Sequence, residues 1–333
     1  MSDIAVIGAG SYGSCLAMLF GRAGHRVSMW ARNPDTAAQM QASRDCSYLP
    51  GHTLPPEVTV TSDLEAAVTG KQLIVGVTPS HGAREVLGRA AQWMDPDAIV
   101  INASKGLEDG TLYTLDRVYQ EILPERIAMR ATYLSGPTFA IEIAAGLPAA
   151  IVLAGRDPKT TQLAQEALMT LHFRIYSTED VTGVLIGGAL KNVIAIGAGV
   201  SDGLGFGSNT RVALMTRGLA EITRIGVAMG ANPLTFMGLS GMGDLVLTCS
   251  GDASRNRRVG LALGQGKKMA DILAEMKQVA EGVKTAKAAK ELAEKLGVDA
   301  PIMNVMHAAL YEGMPMRDVI HNLLSRPAKG ERD

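Results

Sequence analysis

Ile4-Ala5-Val6-Ile7 runs straight into Gly8-Ala9-Gly10-Ser11-Tyr12-Gly13 near the start of a chain of 333 residues. Four apolar residues rich in β-branched side chains read as a buried parallel strand. The glycines then fall where a dinucleotide-binding turn needs them. Gly8 allows the tight turn, Gly10 lets backbone approach a pyrophosphate, and Gly13 lets the following helix pack on the strand. That helix, expected from about 14 to 23, points its unsatisfied N–H groups at the phosphates. In a chain with 37 glycines a bare G-x-G-x-x-G carries little weight. Here the strand before it, the helix after it and a second strand at Val27-Ser28-Met29-Trp30 give it a context that a chance match lacks.

The bulk properties narrow the class. A chain of this length exceeds one ordinary core and predicts two domains. Hydrophobic content of 47% with 20% charged residues fits a globular protein. The net charge of −1 supplies no global field toward nucleic acid or an anionic membrane, so any basic site is local. Cys15, Cys46 and Cys249 are odd in number and far apart, which argues against a disulfide framework and for a reducing compartment. The opening residues enter a strand at once, so no signal peptide and a cytoplasmic location are expected. The most apolar stretch, 184–200, is interrupted by Lys191 and Asn192 and is expected to fall short of a membrane span.

Along the first half, strands and helices alternate. Further strands are expected at 73–77, 98–101, 132–134, 149–153 and 173–176, with helices after Pro34, over Ala83, Val86, Leu87 and Ala90, and at Ser62-Asp63-Leu64-Glu65, which reads as an N-cap with a Glu at its third position. The segment 50–56 reads as a loop. This order predicts an α/β fold, a Rossmann-type parallel sheet covered on both faces, over residues 1–182. From 183 to 333 only helical spacing remains, which predicts an all-helical second domain. The polar tail 329–333 is expected to fray.

Several clusters bear chemistry. The second strand ends in Ala31-Arg32-Asn33, where a dinucleotide site selective for NAD would carry an acid. Arg32 suits a ribose 2′-phosphate, so NADP is favoured and NAD remains open; a solvated surface arginine is the plain alternative. Lys105, in Ala103-Ser104-Lys105-Gly106, follows a buried strand at the end where such sheets bind ligands, and Ser135-Gly136-Pro137-Thr138-Phe139 closes another strand in the same way. Lys191 is the only charged side chain between 184 and 200. It either snorkels to the helix edge or sits in a site with a lowered pKa, where it could serve as a general base for an alcohol. Asp244 heads an apolar run and either caps it or accepts from a substrate hydroxyl. Ser254-Arg255-Asn256-Arg257-Arg258 combines a hydroxyl, an amide and three guanidiniums, the set a phosphate dianion asks for. It is too short, and too poor in aromatics, for a nucleic-acid surface. The six histidines show no metal-ligand spacing, so no metal is expected.

Six of these segments, collinear over nearly the whole chain, resemble the bacterial NAD(P)-dependent sn-glycerol-3-phosphate dehydrogenase family. They are Gly8–Gly13, Ser104-Lys105-Gly106-Leu107-Glu108, Ser135-Gly136-Pro137-Thr138-Phe139-Ala140, Leu190-Lys191-Asn192-Val193, Gly243-Asp244-Leu245-Val246-Leu247-Thr248 and Ser254–Arg258. The resemblance implies hydride transfer between the nicotinamide and C2 of dihydroxyacetone phosphate or glycerol 3-phosphate, with Lys191 as general acid/base. It implies Lys105, Gly136, Thr138, Lys191, Asp244, Ser254, Arg255 and Asn256 around the substrate. Gly8, Gly10, Ser11, Tyr12, Gly13, Arg32, Lys105, Ala140, Arg255, Val279 and Glu281 would line the nucleotide. Tyr12 stands where many members have Trp, Ser14 where many have Thr, and Ala280 where Val is common; none of these removes a reacting group. The implied role is to supply the glycerol phosphate backbone of phospholipids, with small-molecule substrates, no nucleic acid, no membrane insertion, and a homodimer compatible with the sequence. Two rivals are weighed against it. The Ser254–Arg258 cluster opposes a hydroxy-acid dehydrogenase of similar two-domain build, and Lys191 in its apolar helix opposes a nucleotide-sensing regulator without turnover.

Overall fold

The computed structural model describes residues 1–276, 280–328 and 330–331. Its first half forms one eight-stranded sheet: β1 (Asp3–Ile7), β2 (Arg26–Trp30), β3 (Val58–Thr61), β4 (Leu73–Gly76), β5 (Ile99–Asn102), β6 (Thr132–Ser135), β7 (Ala149–Gly155) and β8 (Phe173–Thr178). The spatial order is β3-β2-β1-β4-β5-β6-β7-β8. β1, β4 and β5 are continuous apolar runs because helices cover both faces of the sheet. The chain runs outward from β1 to β3 and then returns to the other side of β1 with β4. This reversal opens a crevice between the C-terminal ends of β1 and β4, the place where open α/β sheets bind ligands.

The fold departs from the sequence reading at four points, two in the sheet and two at helix starts. β3 lies where the sequence pattern predicts no strand; its four residues alternate Val-Thr-Val-Thr and form an edge beside β2, a signal too short to stand out after the proline-rich loop. β7 runs antiparallel to β6. Its connection holds only the five-residue helix Ala140–Ala144, too short to carry the chain back the length of the strand for a parallel return. The first helix spans Ser11–Arg22, starting three residues before the expected position, since Gly10 itself is the N-cap. Asp63, not Ser62, caps the next short helix, its carboxylate accepting from the Ala66 N–H at 3.2 Å.

After β8 every described element is helical. The helix Val181–Gly203 runs through the middle of this half, with 20 of its 23 residues buried. Asp180 caps it by accepting from the Gly183 N–H at 2.9 Å, while its other oxygen takes the Thr235 hydroxyl at 2.6 Å. By length and by a mean hydropathy of 1.6 this helix does reach the measure of a membrane span. It is buried along that whole window instead, because the helices Ser208–Ala228, Arg255–Gly264 and Glu281–Leu296 surround it. Glycines bring one of these in to backbone contact. A Cβ on Gly260 would lie 1.9 Å from the Ile196 carbonyl oxygen, and one on Gly199 would lie 2.1 Å from that of Arg257. The three cysteines are buried free thiols. Of the tail expected to fray, Lys329, Arg332 and Asp333 lie outside the described residues.

Candidate active site

The glycine-rich turn is built as its residues require. Gly8 has φ +127°, and a Cβ there would press on the Val77 carbonyl at 2.9 Å; a Cβ on Gly13 would lie 1.9 Å from the Gly8 carbonyl oxygen. Gly10 differs, because a Cβ there would meet nothing within 4 Å. Gly10 is the N-cap of Ser11–Arg22 and offers no side chain to its first N–H groups. An open approach to an uncapped helix start, at the sheet's switch point, fits a pyrophosphate. Ser11 hydrogen-bonds the Tyr48 carbonyl at 3.0 Å. Arg32 follows β2 at the same edge of the sheet and is exposed. Ahead of it stands His81, near the start of the helix Ser80–Ala90, whose imidazole is held below its usual range first by burial and then by the charges of Lys284 and Arg32.

Lys191 lies on the central helix with 5% of its surface exposed. Its Nζ donates to Asp244 Oδ1 at 2.7 Å and to Thr248 Oγ1 at 2.6 Å. The Thr248 hydroxyl spends its proton on the Asp244 main-chain oxygen, also at 2.6 Å, which leaves a lone pair for the ammonium. From the loop after β5, Lys105 Nζ donates to Asp244 Oδ2 at 2.5 Å and to the Gly136 carbonyl at 3.1 Å. One buried carboxylate therefore holds two ammonium groups, one on each oxygen. Each ammonium has three protons and commits two, so among the described residues each keeps one N–H for a ligand.

Burial pulls the Lys191 ammonium down, and the Asp244 charge only partly restores it; with Lys105 nearby it settles at about 8. Burial pushes the Asp244 carboxyl up, but the two ammoniums outweigh that and hold it below the usual carboxylate range. The snorkelling alternative for Lys191 is thus set aside by its burial and partners. The capping alternative for Asp244 is set aside as well, since Gly243 is the N-cap and both Asp244 oxygens face lysines.

Gly136 has φ +149°, and a Cβ there would touch Ile151. Thr138 Oγ1 donates to the Gly136 carbonyl at 3.1 Å and lies 3.1 Å from the Tyr12 hydroxyl. That contact ties the glycine-rich helix to the loop after β6, and Ala140 begins the short helix that follows. On the other side, Ser254 caps Arg255–Gly264 by accepting from the Arg257 N–H at 3.2 Å. Asn256 Oδ1 accepts from the Gly282 N–H at 3.0 Å, joining this helix start to that of Glu281–Leu296. Arg255 is exposed at the helix start. Burial raises the Glu281 carboxyl, and the charges of Arg255, Lys105 and Lys191 act against that rise. The reading of three available guanidiniums is corrected here. Arg257 turns away to pair with the largely buried Asp202 at 2.7 Å and the exposed Asp252 at 2.8 Å. Val279 lies outside the described residues.

Thr248 is the site residue that the sequence reading passed over, although it stood within a quoted motif. Its signal was the four-residue spacing from Asp244, which places both on one helix face. No cluster of His, Cys, Asp or Glu capable of holding a metal ion occurs among the described residues.

Two family models cover the chain. One, the NAD-dependent glycerol-3-phosphate dehydrogenase N-terminus, matches residues 3–161, and the other, the C-terminus of the same family, matches 180–321. A glycerol-3-phosphate dehydrogenase (NAD(P)+) of Geobacter sp. strain M21 is 50% identical over 329 residues, 98% of each chain. That of Geobacter sulfurreducens is 51% identical over 330 residues, 99% of this chain and 98% of its own. Among solved structures, glycerol-3-phosphate dehydrogenase from Coxiella burnetii superposes with a TM-score of 0.92 at 36% identity, covering 98% of this chain and 99% of that one.

Proposed function

The chain belongs to the NAD-dependent glycerol-3-phosphate dehydrogenase family, and from that membership we propose that it interconverts dihydroxyacetone phosphate and sn-glycerol 3-phosphate with Lys191 as the proton carrier. The observation that carries this reading is the pair of ammoniums on Asp244, each with one N–H uncommitted. On reduction, Lys191 gives a proton to the substrate oxygen through that N–H; on oxidation it takes the proton back. Lys105 aims its remaining N–H at the same substrate and holds it in register. Asp244 acts from behind the two lysines, keeping both charged and oriented. The phosphate dianion takes the start of Arg255–Gly264, with Arg255, Ser254 and the Asn256 amide as donors. Gly136 and Thr138 wall the substrate from the β6 side.

The nicotinamide, when bound, supplies the hydride. Its carrier would be held by Gly8, Gly10, Ser11, Tyr12 and Gly13, with Ala140, Lys105, Arg255, Val279 and Glu281 toward the nicotinamide half and Arg32 at the adenosine end. Arg32 favours NADP over NAD. The division of labour is between residues 1–182, which bind the nucleotide, and 183–333, which bring substrate and proton. The role is to supply glycerol phosphate for phospholipid synthesis in the cytoplasm, and the sequence is compatible with a homodimer.

The test is NADPH oxidation with dihydroxyacetone phosphate against unphosphorylated dihydroxyacetone. The phosphorylated ketone should be strongly preferred, and Arg255→Ala should cost about 2–4 kcal/mol in kcat/KM because a charge-assisted contact to a dianion is lost. Comparable turnover of both ketones would overturn the assignment in favour of a hydroxy-acid substrate.

A further inference from the structure

Gly187 and Gly188 lie one turn before Lys191 on the same side of the central helix. Neither has a positive φ, and both are interior helix positions, where glycine is a poorer residue than alanine. Their surroundings account for them. A Cβ on Gly187 would stand 2.7 Å from the Ser240 carbonyl oxygen and 3.5 Å from the Gly241 Cα. Those residues belong to the π-turn Leu239–Gly243, which hands the chain directly to Asp244. A Cβ on Gly188 would stand 2.7 Å from the Ser135 hydroxyl and 3.8 Å from Cδ of Lys105. One missing methyl thus admits the backbone that carries Asp244; its neighbour admits the Ser135 hydroxyl at the end of β6, next to the Gly136 carbonyl that Lys105 holds, while Lys105 Cδ itself lies at an ordinary contact distance.

We infer that Gly187 and Gly188 are positioning residues whose bare Cα atoms set how close Asp244 and Lys105 come to the Lys191 ammonium, and so how readily Lys191 releases its proton. Among the described residues, the groups that face this ammonium are few. Asp244, the Thr248 hydroxyl and the Cys249 thiol come from one helix, Lys105 from the loop after β5, and Glu281 from the head of Glu281–Leu296. The thiol is pushed up to about 12 by burial and stays neutral. Burial raises the Glu281 carboxyl, and the charges that act most strongly on the ammonium are Asp244, which favours it, and Lys105, which disfavours it. Each glycine controls one of them.

The inference rests on Lys191 as proton carrier, and it makes predictions of opposite sign for the two glycines. Gly187→Ala forces a methyl against rigid backbone, so the π-turn and Asp244 move away from Lys191. With less negative charge beside it, Lys191 loses its proton sooner. The alkaline limb of kcat for ketone reduction should move down by about one pH unit, with kcat reduced roughly 10- to 100-fold. Gly188→Ala presses on Ser135 instead and, through the adjoining Gly136 carbonyl, shifts the Lys105 ammonium away, so the same limb should move up. Adding Ser135→Ala makes room for the new methyl and should bring the limb back; among the described residues the Ser135 hydroxyl has no hydrogen-bond partner to lose. NADPH affinity, measured by fluorescence titration without substrate, should change by less than about threefold in every variant.

Gly203→Ala is the control. It lies on the same helix more than three turns from Lys191, and its Cβ would stand 2.3 Å from the Leu261 carbonyl oxygen. It should lower the melting temperature without moving the limb. If Gly187→Ala does not fold, Gly188→Ala and its Ser135→Ala partner carry the test, because there the obstacle is a single rotatable hydroxyl. Limbs that stay in place in Gly188→Ala, or shift the same way in both glycine variants, would overturn the inference. Lys191→Ala, assayed alongside, separates the two levels. Retained activity there would remove Lys191 from the chemistry, whereas lost activity with unmoved limbs in the glycine variants would leave that role intact and strip the glycines of theirs.

Discussion

An ammonium buried in an apolar helix must find an anion or lose its proton, and Lys191 does part of each. Asp244 keeps it charged, yet burial leaves it at about 8. Under the proposed chemistry, reduction of the ketone needs the protonated form, so kcat should be level below about pH 8 and fall above it; the reverse reaction should show the mirror-image rise. A pH–rate profile in both directions checks this, and two flat profiles would contradict it. Lys191→Ala should lower kcat roughly 10²- to 10⁴-fold with NADPH binding nearly unchanged. Arg32 bears on the cofactor alone. A charge-assisted bond to a 2′-phosphate is worth about 1.5–3 kcal/mol, so NADPH should be preferred about 10- to 100-fold in kcat/KM. Arg32→Ala should erase that preference by weakening NADPH use, which parallel NADPH and NADH kinetics would reveal. An equal loss on both cofactors would assign the guanidinium to the adenine instead. At this scale the sequence was legible where a residue type violated its surroundings, as Lys191 does among Leu, Ile and Val. It was not legible for Thr248, an ordinary helix hydroxyl until its partners are known. Nor was it for Arg257, whose pairing with Asp202 depends on a chain crossing that spacing cannot reveal.

Elements in this protein meet through backbone as much as through side chains. The Gly199, Gly203, Gly260 and Gly264 contacts bring Arg255–Gly264 against the central helix, which fixes the start of that helix beside Lys191's neighbour Asn192. Glycine spacing announces such a seam only weakly, because a loop glycine and a packing glycine look alike in a string of letters. A second inter-element device is Glu221, buried on Ser208–Ala228, whose carboxylate accepts from the N–H groups of Ile302 and Met303 at 2.8 and 3.2 Å and so caps Pro301–Tyr311. Burial, acting against those bonds, holds this carboxyl up at about 7 instead of 4.5. Between those values the folded protein keeps a proton that the unfolded chain releases, so stability declines as pH rises, by on the order of 3 kcal/mol in total. Glu221→Gln should remove that decline. Urea midpoints at pH 5 and pH 8 test it: the wild type should lose ground to the variant at the higher pH, and an equal gap at both would refute the titration. Strand β3 belongs to the same lesson. Its four residues are specified mainly by the neighbour they pair with, so the local pattern was faint.

Across the whole molecule, the alternation of strands and helices up to β8, apart from β3, and the helices thereafter were readable from periodicity, since both faces of the parallel strands and one stripe of each helix must be apolar. The antiparallel turn of β7 was not, because strand direction depends on what the connection can span. The central helix has one more implication, which concerns synthesis. Val181–Gly203 has the length and hydropathy of a membrane span, and the helices that hide it come later in the chain, Glu281–Leu296 among the last of them. A ribosome adding about 5–20 residues per second needs roughly 5–20 s to make the intervening 90 or so residues. For that interval the segment leaves the exit tunnel with its partners unmade, a greasy helix that a chaperone or the membrane-targeting machinery could seize. Ribosome-bound chains halted near residue 252 should crosslink to such factors through 181–203, and chains carried far enough to expose residue 296 should not. If both lengths were equally protected, the sheet already formed must shield the helix by itself. The same oily stretch that keeps water from the lysine in the finished enzyme makes its birth the most hazardous moment of its life.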